Sequence, residues 1–133
     1  MAFVLDASVT VSWALQDEEE PVAIAVQVMA ATQTAHVPAI WWFEVRNVLL
    51  VDERRRRLTA RDTSIFLGAL GRAKLQVDQR PVEASILALA RSHRLTVYDA
   101  AYLELAMRKV LPLATLDRAL AHAARAEGVA LLG

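Results

Sequence analysis

Short apolar segments alternate along this chain with longer segments that favour helices. The apolar segments contain mainly leucine, valine, alanine and phenylalanine, and they read "AFVLD", "AHV", "KLQVD", "LPLAT" and "VALL". Strands that are separated by helices are joined by crossover connections, and such connections produce a parallel sheet covered by helices. We therefore expect an α/β fold in which a short, mostly parallel sheet is flanked by helices.

The intervening segments have the composition and punctuation of helices. Pro21, Pro38 and Pro81 each suit the first turn of a helix, and Thr59 with Asp62 forms a capping-box pattern. We predict helices over residues 7–16, 21–33, 38–57, 59–73, 81–93, 99–109 and 117–127, and Gly128 is a suitable stop for the last of them. The acidic run 17–20 should form a solvated loop.

Composition limits the possible functions. The 133 residues are 56% hydrophobic and predict a single domain, 1–133, with a buried core. Cysteine is absent, which excludes disulfides, thiolate metal sites and a cysteine nucleophile, and which fits a reducing cytoplasm. Neither a signal peptide nor a membrane span is indicated. The 15 basic residues are balanced by 15 acidic ones, so nucleic acid would have to bind through local patches or a metal.

Four acidic residues occupy positions where functional groups gather. Asp6 follows the first strand and Asp117 follows "LPLAT", so the two meet in one crevice if those strands are neighbours. We expect Asp99 to lie at a helix start beside that crevice, while Glu44 interrupts an aromatic cluster. Each acid alone could be a helix cap or an exposed helix position.

A cluster of carboxylates needs a cation. Two carboxylates about 4 Å apart repel each other by roughly 4 kcal/mol at an effective dielectric constant near 20. Ligation by oxygen alone points to Mg²⁺ or Mn²⁺, which can neutralise a phosphate and activate water. The acids together therefore predict a metal site that binds a phosphodiester.

At these residues the chain resembles a known family. The segments "FVLDASV", "PAIWWFEVRNVL", "LTVYDAAYLELA" and "LPLATLDRALAHAARAEGV" resemble the motifs of PIN-domain ribonucleases, and their spacing is similar to that of the VapC toxins of toxin–antitoxin pairs. The resemblance spans nearly the whole chain, except for residues 59–80. It implies a three-layer PIN-like fold, Mg²⁺- or Mn²⁺-dependent RNA cleavage that leaves a 5′-phosphate and a 3′-hydroxyl, a VapB-like antitoxin that occupies the site, and commonly a homodimer.

The resemblance also implies roles for individual residues. Asp6 and Asp99 correspond to the principal metal ligands. Glu44 and Asp117 would hold metal-bound waters, position the nucleophilic water or bind a second cation. Three polar residues would support the carboxylates: Ser8, Asn47 and Thr115.

Other features have two interpretations each. Arg54, Arg55, Arg56 and Arg57 could bind RNA, or they could be a solvated helix end that complements the helix dipole. Trp41, Trp42 and Phe43 could stack on bases, although packing in a core or an interface is favoured. The apolar helices 21–33 and 45–51 either bury against each other or form a dimer or antitoxin surface.

Two alternative functions follow from the same residues. A haloacid-dehalogenase-like phosphatase also begins with a strand and an Asp, but it needs a second acid two residues later, where this chain has Ser8. A non-catalytic module that binds RNA or a protein would use the apolar helices and the arginine run without cutting.

Overall fold

A parallel sheet forms the centre of the molecule, as expected. The computed structural model describes residues 1–15 and 20–132. The strands are β1 (Ala2–Leu5), β2 (Thr34–Pro38), β3 (Leu75–Asp78) and β4 (Leu113–Ala114). They lie in the order β3-β2-β1-β4, and every neighbouring pair is parallel. The predicted α/β fold is confirmed.

Seven helices flank this sheet within the described residues. They are α1 (Ala7–Ser12), α2 (Pro21–Ala30), α3 (Ile40–Arg54), α4 (Ala60–Leu70), α5 (Glu83–His93), α6 (Val97–Lys109) and α7 (Arg118–Ala126). Two predicted helix boundaries are confirmed: the side chains and backbones of Thr59 and Asp62 form a capping box at the start of α4, and Gly128, with a φ of 77°, follows the end of α7.

The core is built around β1 and α6. Phe3, Val4 and Leu5 are completely or almost completely buried, because a central strand of a parallel sheet is covered on both faces. Helix α6 packs against β1, β2 and β4, and its buried residues include Tyr102 and Leu103. This packing fixes the first turn of α6 near the carboxyl ends of the strands.

Two predicted boundaries of the long helix are wrong. Pro38 is the last residue of β2, and α3 begins at Ile40. The φ of proline suits an extended chain as well as a helix, so proline alone does not decide between them. At its other end α3 stops at Arg54, and Arg56 adopts a left-handed conformation with a φ of 59°. The arginine run therefore turns away from the helix axis.

Other segments also differ from the prediction. Helices α2 and α4 end early, at Ala30 and Leu70, and α5 begins at Glu83, two residues after Pro81. Helix α1 ends at Ser12. Helix α6 begins at Val97, because the side chain of Thr96 accepts a hydrogen bond from the backbone N–H of Asp99 and caps the helix. The predicted last strand contributes only one parallel bridge, between Leu131 and Leu113.

The predicted acidic loop is only partly visible. Its residues 17–19 lie outside the described residues.

Within the described residues, no helix is both long enough and apolar enough to cross a membrane.

Candidate active site

Asp6 lies at the carboxyl end of β1 and is held by two hydroxyls. Its side chain does not cap α1, and the residue is only 4% exposed. Its Oδ2 atom accepts hydrogen bonds from Ser8 Oγ at 2.7 Å and from Thr115 Oγ1 at 2.6 Å. Both hydroxyls were predicted to orient carboxylates, and the structure brings both to Asp6.

Hydrogen bonds donated by backbone N–H groups join the end of β4 and the segment after it to the segment after β1. The N–H of Asp6 donates to the carbonyl oxygen of Ala114 at 3.0 Å, and the N–H of Leu116 donates to Ser8 Oγ at 2.9 Å. The N–H of Asp117 donates to Thr115 Oγ1 at 3.0 Å. Because β1 and β4 are neighbours, Asp6 and Asp117 meet at one edge of the sheet, as the sequence predicted.

Asp117 also caps α7. Its Oδ1 atom accepts a hydrogen bond from the N–H of Leu120 at 2.9 Å. The capping interpretation is confirmed, and the capping bond engages only Oδ1, which is compatible with the predicted role in the site.

Asp99 reaches the site from the first turn of α6. It is the third residue of the helix and is half-buried. The prediction that Asp99 starts the helix is wrong, because Thr96 is the capping residue. Its position within the first turn still places the Asp99 carboxylate near the positive end of the helix dipole.

Glu44 enters the site from the second turn of α3. Its Oε1 atom accepts a hydrogen bond of 2.6 Å from the hydroxyl of Tyr102, which belongs to α6. Glu44 is half-buried, whereas Tyr102 is completely buried. This contact explains how a carboxylate is accommodated among the aromatic residues of α3.

Burial and neighbouring charges raise the pKa values of three of the acids, Asp6, Glu44 and Asp99. Burial raises the pKa of Asp6, and the charge of Asp117 raises it further, against the lowering effect of the Thr115 and Ser8 hydrogen bonds. Burial raises the pKa of Asp99 as well, and Asp117 and Asp6 add to this. The pKa of Glu44 is raised by burial and then by the charges of Asp6 and Asp99, while its bond to Tyr102 opposes the shift. Such mutual repulsion requires that the carboxylates lie close together.

This donor set fits a hard divalent cation. All four donors are carboxylates, which Mg²⁺ and Mn²⁺ prefer, and a cation would relieve the repulsion among them. Within the described part of the chain, no three acidic or histidine side chains are arranged to enclose a metal ion by themselves. A single Mg²⁺ typically takes one or two carboxylates and keeps several waters, so it would be held by a subset of the four acids.

Other predicted site residues lie apart from the carboxylates. Asn47 is exposed, and no hydrogen bond joins it to the four acids among the residues described. The arginine run is exposed at the far end of α3. Because Arg54 is ten residues from Glu44, it lies about 15 Å away along the helix. An ion pair of 3.8 Å joins Arg57 to Asp52.

The three neighbouring aromatic residues have different surroundings. Trp41 is buried, and its Nε1 donates to Thr10 Oγ1 at 3.0 Å, so the predicted core packing is confirmed for it. Trp42 and Phe43 are 50% and 64% exposed and contact each other edge to face at 5.0 Å. The guanidinium of Arg46 lies 4.0 Å from the centre of the Trp42 ring. Core packing is therefore wrong for Trp42 and Phe43, and their packing in an interface stays a prediction.

Comparison with known protein families decides the identity of the fold. The family model for the PIN domain matches residues 3–126. The chain belongs to the PIN-domain family. The match covers β1 to α7 and includes all four acids, so the phosphatase interpretation is left without support. Among proteins of curated function, none matches the sequence significantly.

Several solved structures share the fold of this PIN domain. PAE2754 from Pyrobaculum aerophilum is 22% identical, with a TM-score of 0.73 over 92% of this chain and 84% of that chain. VapBC2 from Rickettsia felis, bound to a DNA fragment from its promoter, is 13% identical, with a TM-score of 0.67 over 98% of this chain and 97% of that chain. A toxin–antitoxin complex from Klebsiella pneumoniae is 18% identical, with a TM-score of 0.55 over 86% of each chain.

Two residues that support this PIN-domain site were not predicted from the sequence. Tyr102 contacts Glu44, and Thr96 positions the first turn that carries Asp99. A signal for Tyr102 was present, since a residue three positions after Asp99 lies on the same face of a helix. Thr96 lies three positions before Asp99, which is the spacing of a capping residue and the N–H that it accepts.

Proposed function

We propose that this PIN domain is a Mg²⁺- or Mn²⁺-dependent endoribonuclease and the toxin of a toxin–antitoxin pair. One observation carries the proposal: Asp6 after β1, Glu44 on α3 and Asp99 on α6 have pKa values raised by burial and by the charges of neighbouring acids, among them Asp117 from the segment after β4. Such an arrangement is costly without a cation. A cation held there would attract a phosphodiester, and the family match supports RNA as its source.

The proposed roles of the acids are those that the resemblance to PIN-domain ribonucleases implies. Asp6 and Asp99 are the principal ligands, while Glu44 and Asp117 hold metal-bound waters, position the attacking water or bind a second cation. When bound, the cation supplies charge neutralisation at the scissile phosphate and lowers the pKa of water. Ser8 and Thr115 hold the carboxylate of Asp6 in one orientation through Oδ2. The expected products end in a 5′-phosphate and a 3′-hydroxyl, and cellular RNA as substrate implies action in the cytoplasm.

Exposed apolar side chains on two helices support the proposal that this chain binds a protein partner. Exposed apolar side chains lie on α2, at Ile24 and Val28, and on α3, at Trp42, Phe43 and Leu50. Exposed apolar side chains mark a protein interface where they form a patch. We propose that these helices form the homodimer surface or the surface for a VapB-like antitoxin, in keeping with the similarity to toxin–antitoxin complexes.

A separate cleft suits an antitoxin segment. It has a volume of about 830 Å³ and is lined by side chains from the segment after α1, from α4 and from the segment between α3 and α4, among them Trp13, Leu58, Ile65 and Phe66. Asp62 and Arg56 lie at the same cleft. An amphipathic peptide with an apolar face and charged edges matches this lining.

The test is RNA cleavage by the purified, antitoxin-free protein. Total cellular RNA is incubated with Mn²⁺, with Mg²⁺ or with chelator, and the ends of the products are identified. Wild type is compared with Asp99→Asn, which removes one ligand charge, and with Glu83→Gln, which neutralises an exposed acid on α5. We expect metal-dependent products with 5′-phosphates from wild type and Glu83→Gln, and none from folded Asp99→Asn.

Two results would overturn parts of the proposal. Unchanged turnover by Asp99→Asn would remove Asp99 from the metal site. Tight, metal-independent binding of RNA or protein without any product would favour the non-catalytic binding module instead.

A further inference from the structure

Tyr102 is buried at a position where its ring alone would fill the core. The residue is completely buried within α6. A buried hydroxyl that lacks a partner destabilises the fold, and phenylalanine would provide the same packing without that cost. The Tyr102 hydroxyl does have a partner, Glu44 Oε1, at 2.6 Å. The hydroxyl therefore serves the contact with Glu44 rather than the packing of the core.

Glu44 depends on this contact for its position. Among the described residues, the Tyr102 hydroxyl is the one group that donates a hydrogen bond to the Glu44 carboxylate. The other nearby charges, those of Asp6 and Asp99, are repulsive. A glutamate has three side-chain torsions and is half-buried here, so repulsion would turn the carboxylate toward solvent if nothing held it.

The helix that supplies Asp99 also supplies the group that restrains Glu44. Asp99 and Tyr102 are three residues apart on α6 and therefore lie on one face. The hydrogen bond engages Oε1 of Glu44 and leaves Oε2 without a hydrogen bond to the described residues. One oxygen is thus anchored, and the other is available to a cation or to one of its waters.

We propose that Tyr102 is a positioning residue that holds the Glu44 carboxylate in the acidic site and thereby sets the affinity of the site for a divalent cation. The proposal rests on the proposed metal-dependent function. Tyr102 touches neither the cation nor RNA, and it acts through Glu44. Groups that orient metal ligands in this way typically change metal affinity by about 10- to 100-fold when they are removed.

The chain offers a matched pair of substitutions. Tyr98 and Tyr102 are its two tyrosines, and Tyr98 is 56% exposed. Tyr102→Phe and Tyr98→Phe each delete one hydroxyl and keep the ring. Mn²⁺ binding is measured by electron paramagnetic resonance of the free ion, and circular dichroism in chelator checks that each variant is folded. We expect Tyr102→Phe to bind Mn²⁺ about tenfold more weakly than wild type, and Tyr98→Phe to bind like wild type.

A double-substitution cycle separates positioning from general loss of structure. If Tyr102 acts through Glu44, Tyr102→Phe should weaken Mn²⁺ binding in the wild-type background and add no further loss in a Glu44→Gln background. A purely structural role would weaken binding equally in both backgrounds, and that result would overturn the proposal.

A spectroscopic measurement keeps the proposal testable if Tyr102→Phe does not fold. In Tyr98→Phe, Tyr102 is the remaining tyrosine, so ultraviolet resonance Raman spectra report its hydrogen bond alone. The spectrum should show a strong donor to a carboxylate, and this signature should be lost when Glu44→Ala, which removes the acceptor, is added. A Tyr102 spectrum that Glu44→Ala leaves unchanged would overturn the proposal.

Failure of this inference is distinguishable from failure of the proposed function. Equal Mn²⁺ binding by wild type and Tyr102→Phe, with binding lost in Asp6→Asn, overturns the role of Tyr102 alone. Absence of Mn²⁺ binding in wild type overturns both.

Discussion

The hydroxyl of Thr115 donates a hydrogen bond of 2.6 Å to Asp6 Oδ2, although the two residues are 109 positions apart in the chain. Ser8 donates to the same oxygen at 2.7 Å. Two donors on one oxygen fix the plane of the carboxylate. No side chain among the described residues donates to the other oxygen, Oδ1, so we infer that Oδ1 is the atom available to a cation.

Replacing Thr115 by valine should weaken the site without unfolding the protein. Thr115→Val keeps the β-branched shape but removes a donor to Asp6 and an acceptor for the N–H of Asp117. We expect Mn²⁺ affinity, measured by calorimetry, and RNA cleavage, measured as an initial rate, each to fall by about tenfold or more.

Thr115→Ser provides the matched control, because it restores the hydroxyl in a smaller side chain. It should bind Mn²⁺ and cleave RNA within about threefold of wild type. If Thr115→Val and Thr115→Ser were equally impaired, the shape of the side chain rather than its hydroxyl would matter at this position.

The sheet and most of this site could be predicted from the chain. Apolar segments that end in an acid placed Asp6 and Asp117 at the carboxyl ends of strands, and parallel pairing of β1 with β4 brought them together. The contact of Thr115 with Asp6 depends on that pairing. The resemblance to PIN domains suggested Thr115, but local periodicity could not, since the contact is made only in the folded sheet.

The acids should make the metal-free protein less stable as the pH rises. The folded-state pKa values of Asp6, Glu44 and Asp99 are raised from 3.8, 4.5 and 3.8, respectively. Between the unfolded and the raised folded pKa, the folded state binds more protons than the unfolded state, so the free energy of unfolding falls with increasing pH. In chelator, urea unfolding should therefore show that these acids destabilise the fold more at pH 7.5 than at pH 4.

A double variant that carries both Asp6→Asn and Asp99→Asn isolates this effect. Comparing its pH dependence of stability with that of wild type removes the contribution of the other titrating groups. Between pH 4 and pH 7.5 the double variant should lose less stability, or gain more, than wild type. Adding Mg²⁺ should stabilise wild type more at pH 7.5 than at pH 4, because protons compete with the cation for the carboxylates. An identical pH dependence in wild type and variant would show that neither burial nor repulsion raises the pKa values of Asp6 and Asp99 in the folded state.

Helix boundaries were less predictable than the sheet, for local reasons. Pro38 fits both the end of β2 and a helix start, and its surroundings decided the outcome. Thr96 and Asp99 both suit a helix cap, and the structure uses Thr96. The contact between Tyr102 and Glu44 joins α6 to α3 across 58 positions, so no local pattern could identify Glu44 as its partner.

The arginine run should affect RNA binding more than chemistry. Arg54 and Arg55 are exposed, and Arg54 lies about 15 Å from Glu44 along α3. Arg54→Gln with Arg55→Gln should raise KM for a long RNA severalfold, leave kcat unchanged and reduce the salt dependence of binding. Substituting Arg91 and Arg125, which are exposed on α5 and α7, is the control. An equal change in both pairs would mean that only net charge matters.

Arg108 should stabilise the fold rather than the site. It bonds Asp78 at 2.6 and 3.1 Å and Glu104 at 2.8 and 3.1 Å, and its hydrogen bonds hold the pKa of Asp78 below its usual range. Glu104 is 3% exposed, so Arg108→Met would leave a buried carboxylate without a cation and cost about 2–4 kcal/mol in urea unfolding.

The position of Arg108 allows stability to be separated from activity. It is nine residues from Asp99, about 13 Å along α6, so cleavage per folded molecule should be unchanged in Arg108→Met. Arg91→Met, at an exposed position on α5, should change the free energy of unfolding by less than about 0.5 kcal/mol. If Arg108→Met were equally mild, solvent would be screening the Glu104 carboxylate. The contacts of Arg108 would then be worth no more than a surface ion pair.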